Sequence, residues 1–235
     1  MTNSIIKIIT DIDNFSDRVD EITATTSYDE VKHVISRLKK ALKQNPDIPA
    51  LCAPQIGNNL RLFVVKLNKS NDAAFKVFLN PLIVSSKGLH LSRETSPSIP
   101  DCEFIIPRKN EIHVAYQESD GHVNSETYIG AYGEVIQQMI EMLDGITLAD
   151  YGLNLNDVGG AHKFNKAPKK QQAEVIQMYL QSLKEISMDL KTQIEESSEL
   201  KLIDDTINFM TGLLDGSITP IKSPLDGKVD KEVKV

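Results

Sequence analysis

Side chains able to do chemistry are few in this chain and unusually spaced. The histidines are His33, His90, His113, His122 and His162, and the cysteines are Cys52 and Cys102. No two histidines form His-x-x-x-His, and none stands at ligand spacing from a cysteine, so no local zinc or iron site can be read. Two cysteines cannot build a disulfide framework or a four-thiolate zinc site. Gly159-Gly160 and Asp120-Gly121 lack the Lys-Ser/Thr and the strand-to-helix setting of a phosphate loop, and read as turns. Three segments remain: a small-residue loop, Ala50-Leu51-Cys52-Ala53-Pro54-Gln55-Ile56-Gly57; Glu94-Thr95-Ser96-Pro97-Ser98-Ile99-Pro100; and Ile136-Gln137-Gln138-Met139-Ile140-Glu141-Met142-Leu143-Asp144-Gly145.

Recognisable elements must position these segments. Ser27-Tyr28-Asp29-Glu30 has the capping-box pattern, and Val31, Val34, Ile35, Leu38, Ala41 and Leu42 recur at helical spacing until Asn45-Pro46. Short β-like runs follow at 60–67, 74–79, 82–84, 112–116 and 127–129, punctuated by Gly, Pro, Asn and Asp. A second helix is expected over 131–144, with Gly145 ending it in the left-handed conformation. After Asp150 the composition changes. Gly152, Gly159, Gly160 and Pro168 mark a linker, and Ile176, Leu180, Leu183, Ile186, Leu190 and Ile194 form one stripe, with Ile203, Ile207, Met210 and Leu214 forming another. The reading is α+β, with mixed or antiparallel sheets around a central helix plus a helical extension. Its parts are a domain at 1–151, a linker at 152–167, a helical hairpin at 168–216 and a polar tail at 217–235.

With 26 Lys+Arg against 33 Asp+Glu, the chain of 235 residues carries a net charge of −7, which argues against nucleic-acid binding. No apolar run reaches the roughly 18 residues of a membrane span, and the first residues lack a signal-peptide core. The expectation is a soluble, unsecreted protein, cytoplasmic when synthesised, with no membrane insertion.

Together with Leu79-Asn80-Pro81-Leu82-Ile83, the three segments resemble the motifs of the peptide deformylases in order and spacing, over roughly residues 1 to 151. That resemblance implies a divalent metal held by one cysteine and by two histidines of His-Glu-x-x-His, whose glutamate moves protons from metal-bound water. Each of these positions differs here. Ser96 stands at the cysteine, Gln138 and Met142 at the histidines, and Met139 at the glutamate. Pro97 replaces a leucine whose backbone N–H helps hold the substrate carbonyl, while Gln55, the side-chain donor to the same oxygen, is kept. The implied outcome is a non-catalytic pseudoenzyme with no metal and no cofactor. In this reading Gln55 anchors its loop, Met139 and Met142 fill and close the old metal pocket, Glu141 is a salt-bridge remnant, and Glu94 hydrogen-bonds nearby backbone. Ile48 and Ala50, at loop positions where the family has glycine, crowd the groove.

The expected role is a structural or assembly subunit of a large complex, with protein partners engaged through the C-terminal arm. Because deformylase-like genes occur in tailed phages, the resemblance also suggests a virion component of a tail or baseplate. The alternatives are a divergent metal-dependent amide hydrolase with a rebuilt site and a peptide-binding module.

Overall fold

The computed structural model of the chain describes residues 5–15, 17–67, 74–158, 169–193 and 198–215. Its centre is β2 (Leu62–Lys66), which is buried along its whole length. Alternation along the strand sends Phe63 and Val65 to one side and Leu62 and Val64 to the other. On the first side they meet Ile136, Met139, Ile140, Met142 and Leu143 of α2 (Gly130–Leu143). On the second they meet Val34, Ile35, Leu38, Ala41 and Leu42 of α1 (Tyr28–Gln44). A strand covered on both faces reads as a continuous apolar run.

Around β2 an antiparallel sheet forms in the order β1 (Ala50–Cys52), β2, β3 (Phe75–Lys87), β6 (Glu111–Gln117) and β7 (Val123–Ile129). Phe63 stacks on Phe78 at 4.5 Å across the β2–β3 pair. A second antiparallel sheet contains β4 (His90–Ser96), β5 (Ile99–Arg108) and the short β8 (Leu153–Asn154). A one-turn helix, α3 (Leu148–Tyr151), lies between α2 and β8.

The runs expected at 74–79 and 82–84 are one strand. Asn80 sits between them at φ +47° as the register shifts, and its amide both accepts from Ile22 N (2.9 Å) and donates to Ile22 O (2.7 Å). Asparagine tolerates this conformation because its side chain can bond locally. The expected capping box at Ser27 does not form: Ser27 is the N-cap residue, but its side chain makes no capping hydrogen bond. Gly145 does adopt the expected left-handed conformation, at φ +82°. Strands β4, β5 and β1 went unread in the sequence. In β4 the inward residues His90, Ser92, Glu94 and Ser96 are polar, which inverts the usual pattern.

Two long helices follow, α4 (Lys169–Gln193) and α5 (Ser198–Asp215). They pack on the second sheet. Leu183 and Ile203 join Phe104, Ile106 and Tyr151 in one apolar cluster, while Leu180, Phe209 and Met210 cover Leu89 and Leu91. Lys109 Nζ reaches Asp205 Oδ2 at 3.1 Å. Much of the apolar face of this pair is therefore spent on the chain's own β4–β5 surface. Gly159, Gly160, Pro168, His162, Ile194 and the tail lie outside the described residues. No described helix is long and apolar enough to cross a membrane.

Candidate functional site

The three segments singled out in the sequence converge. β1 and the 3-10 turn Ala53–Ile56 bring in Gln55, the end of β4 brings in Ser96 and Pro97, and α2 brings in Gln138 and Met139. Ile48, Ala50, Ser96, Pro97, Gln138 and Met139 line a cavity of about 380 Å³. The groove expected to be crowded by Ile48 and Ala50 is open, with both residues in its wall. β-carbons at these positions narrow a groove without filling it when the facing wall, here Val135 and Met139, stands back. A neighbouring cavity of about 200 Å³ adds Pro46, Lys66 and Tyr132, and shares Asp47, Pro49, Ala131 and Val135 with the first.

Gln55 is fully buried and bonded on both ends of its amide. Oε1 accepts from the Cys52 backbone N–H at 3.0 Å and from the Cys52 thiol at 3.4 Å, while Nε2 donates to Ser98 Oγ at 3.1 Å. Burial pushes the Cys52 thiol up to about 12, so it is a neutral packing group at physiological pH. Gln138 Nε2 donates to the Thr95 carbonyl at 3.1 Å and ties α2 to the end of β4. Ser96 Oγ accepts from the Ser98 N–H at 3.3 Å. Met139 and Met142 are 1% and 3% exposed and belong to the core with Phe63 and Ile112. Met142 is thus core, whereas Met139 also contributes to the cavity wall and does not close it.

A buried ion network supports this wall. Glu94, expected to bond nearby backbone, instead takes Arg108 in a two-pronged contact, with Nε to Oε1 at 2.6 Å and Nη2 to Oε2 at 2.7 Å. Arg108 Nη1 also donates to Glu141 Oε1 (2.6 Å) and to Tyr151 Oη (2.8 Å), and Tyr151 donates to Glu141 Oε2 at 2.8 Å. The Arg108 side chain is 0% exposed. Burial alone would lower its pKa, but the Glu141 and Glu94 carboxylates hold it well above the usual value. Burial raises the Glu141 carboxyl despite Arg108. The sequence reading missed Arg108; its one visible signal is the basic pair Arg108-Lys109 closing the apolar run Phe104-Ile105-Ile106-Pro107.

A second pair was also missed. His90 Nε2 contacts Glu134 Oε1 at 2.8 Å and His90 Nδ1 contacts Asn110 Oδ1 at 2.7 Å. Glu134 projects from the N-terminal half of α2 and lines the cavity. The bond to Glu134 raises the His90 pKa above 6.5, and the same bond lowers Glu134 below 4.5, with Glu94 and Arg108 also facing the pair. His33 is exposed on α1, and His113 bonds to Thr127 and Ser125 across the outer face of the first sheet.

The metal that the resemblance implies does not fit the residues at its positions. A serine hydroxyl, a neutral amide already bonded to Thr95 and a buried thioether offer neither charge nor the ligand set that zinc, iron or nickel dications prefer. Among the described residues no group of three or more His, Cys, Asp or Glu could hold a metal ion.

Two outcomes follow. His90, with its raised pKa, contributes stability that is full below pH 6.5 and lost as pH rises through its folded pKa. Glu134, with its lowered pKa, contributes stability present above 4.5 and lost as pH falls through its folded pKa. Urea unfolding across pH 4 to 9 should show the pair's stabilisation greatest between those values, and His90→Gln should flatten the decline above 6.5; an unchanged profile would refute the assignment. The fourfold variant Ser96→Cys, Gln138→His, Met139→Glu, Met142→His should retain about one zinc or nickel ion per chain after desalting, by elemental analysis, where the parent retains far less.

The chain is similar to known proteins in sequence and fold. The chain is 32% identical over 126 residues to a peptide deformylase of Karelsulcia muelleri, covering 53% of this chain and 66% of that one. With a peptide deformylase of Bradyrhizobium diazoefficiens it shares 30% identity over 149 residues, covering 61% of this chain and 85% of the relative. The solved structure of a probable peptide deformylase from synechococcus phage S-SSM7 superposes with a TM-score of 0.57 at 27% identity, covering 62% of this chain and 99% of that one. These relatives overturn the expectation of a non-enzyme, a pseudoenzyme. They are named as ordinary deformylases, and replaced ligands alone do not move a chain out of an enzyme family. Matched by the family model for polypeptide deformylase over residues 6–157, the chain belongs to the polypeptide deformylase family.

Proposed function

We propose that this member of the family holds an extended polypeptide segment in the groove between the end of β4 and α2. The observation that carries the reading is the cavity of about 380 Å³ with its adjoining extension, lined in part by Ser96, Gln138 and Met139. Ile48, Val135 and Met139 give it apolar walls, while the strand end at Thr95–Pro97 offers backbone beside the groove. Such a trough suits a strand-like ligand whose side chains seat alternately. Pro97 has no N–H to donate, so the Ser96 hydroxyl and the Gln138 amide are the nearby polar anchors. Fluorescence anisotropy with labelled, uncharged pentapeptides of varied sequence should show saturable binding. Val135→Trp, which fills the groove from its wall, should weaken it at least about tenfold. Equal binding by the variant would place the peptide elsewhere.

A second reading, that the chain is a subunit of a larger protein assembly and a phage virion component in particular, draws support from α4. With Leu180 and Leu183 turned inward, Met178 and Met188 stand 73% and 70% exposed. Flexible, polarisable methionines on an outer helix face suit a protein contact. The similarity to the phage protein supports a phage setting. Met178→Asp with Met188→Asp should leave the fold intact and shift the intact chain from assembled to free in co-sedimentation from its source; unchanged co-sedimentation would remove the α4 face as the attachment.

A further inference from the structure

We propose that the groove selects a lysine side chain of the bound segment, with Glu134 as the residue that decides this specificity. The inference rests on the peptide-holding reading and names what the groove prefers. The cavity combines two chemistries that match such a side chain: Ile48, Val135 and Met139 for an aliphatic stem, and the Glu134 carboxylate for a cation at its tip.

Two of the other charges lining the cavity, Glu94 and Arg93, are already matched. Glu94 is committed to buried Arg108 through both carboxylate oxygens, and Arg93 is paired with Glu103 at 3.0 Å. Lys66 Nζ, at the adjoining extension, donates to the carbonyls of Asn45 and Pro46 at 2.8 and 2.9 Å. Glu134 is held by His90 through Oε1, and its carboxylate lines the cavity. The Ser92 hydroxyl, 3% exposed, also acts on Glu134 and favours its ionised form. Asp47, in the wall shared by both cavities, adds negative potential along the approach. A carboxylate hydrogen-bonded from behind is pre-oriented and loses little freedom on meeting an ammonium group.

The test uses the full chain and labelled pentapeptides that differ only at the central residue: lysine, acetyl-lysine, norleucine and glutamate. A hydrogen bond to a charged group predicts the lysine peptide binding at least about tenfold tighter than the acetyl-lysine peptide, which keeps the stem and lacks the charge. The glutamate peptide should bind weakest. Glu134→Gln should bring the lysine and acetyl-lysine affinities within about threefold of each other while norleucine binding persists. Equal binding of lysine and acetyl-lysine peptides by the unmodified chain overturns the lysine preference without any variant and leaves the groove reading standing. A preference retained in Glu134→Gln overturns the role of Glu134. Failure of every peptide to bind removes the groove reading and this inference with it.

Discussion

The buried guanidinium of Arg108 is the constraint on which the site depends. It stands at the end of β5 and holds Glu94 of β4, Glu141 of α2 and Tyr151 of α3, so one cation fixes two strands and two helices to each other. A positive charge with no exposed surface persists only when it is paired and fully hydrogen-bonded, and breaking one side of such a network costs about 3–5 kcal/mol. Through Glu94, which lines the cavity, the network reaches what a ligand would meet.

A second consequence concerns the side chains that line the groove. Gln138 and Ser96 bond to backbone groups of the strand end, and the two methionines take their place in the core beside Phe63 and Ile112. Each of these side chains satisfies its own surroundings locally. The Arg108 network and Gln55 tie together the elements around the groove.

The helices α4 and α5 change the meaning of the C-terminal half. Read as a stripe of apolar residues, they suggested an arm reaching for a partner. Leu183 and Ile203 instead bury against Phe104 and Ile106, so the pair helps cover the sheet that carries the cavity wall. Met178 and Met188 of α4 are exposed to solvent.

Much of the architecture follows from local rules in the chain. The helical spacing of α1, the left-handed stop at Gly145 and the doubly covered strand at Leu62–Lys66 are encoded by neighbours in sequence, because periodicity and backbone preference are local properties. The motif order of Gln55, Ser96 and Gln138 located the site. The sequence did not disclose β4, whose polar residues point inward because their partners, Arg108 and Glu134, come from distant segments. Nor did it disclose that Ile48 and Ala50 leave the groove open, since that depends on how far the facing wall stands away. Residue types and spacing determined the elements and the family motifs; tertiary structure alone decided which charges met, because an ion pair between residues 90 and 134 or 94 and 108 has no local signature.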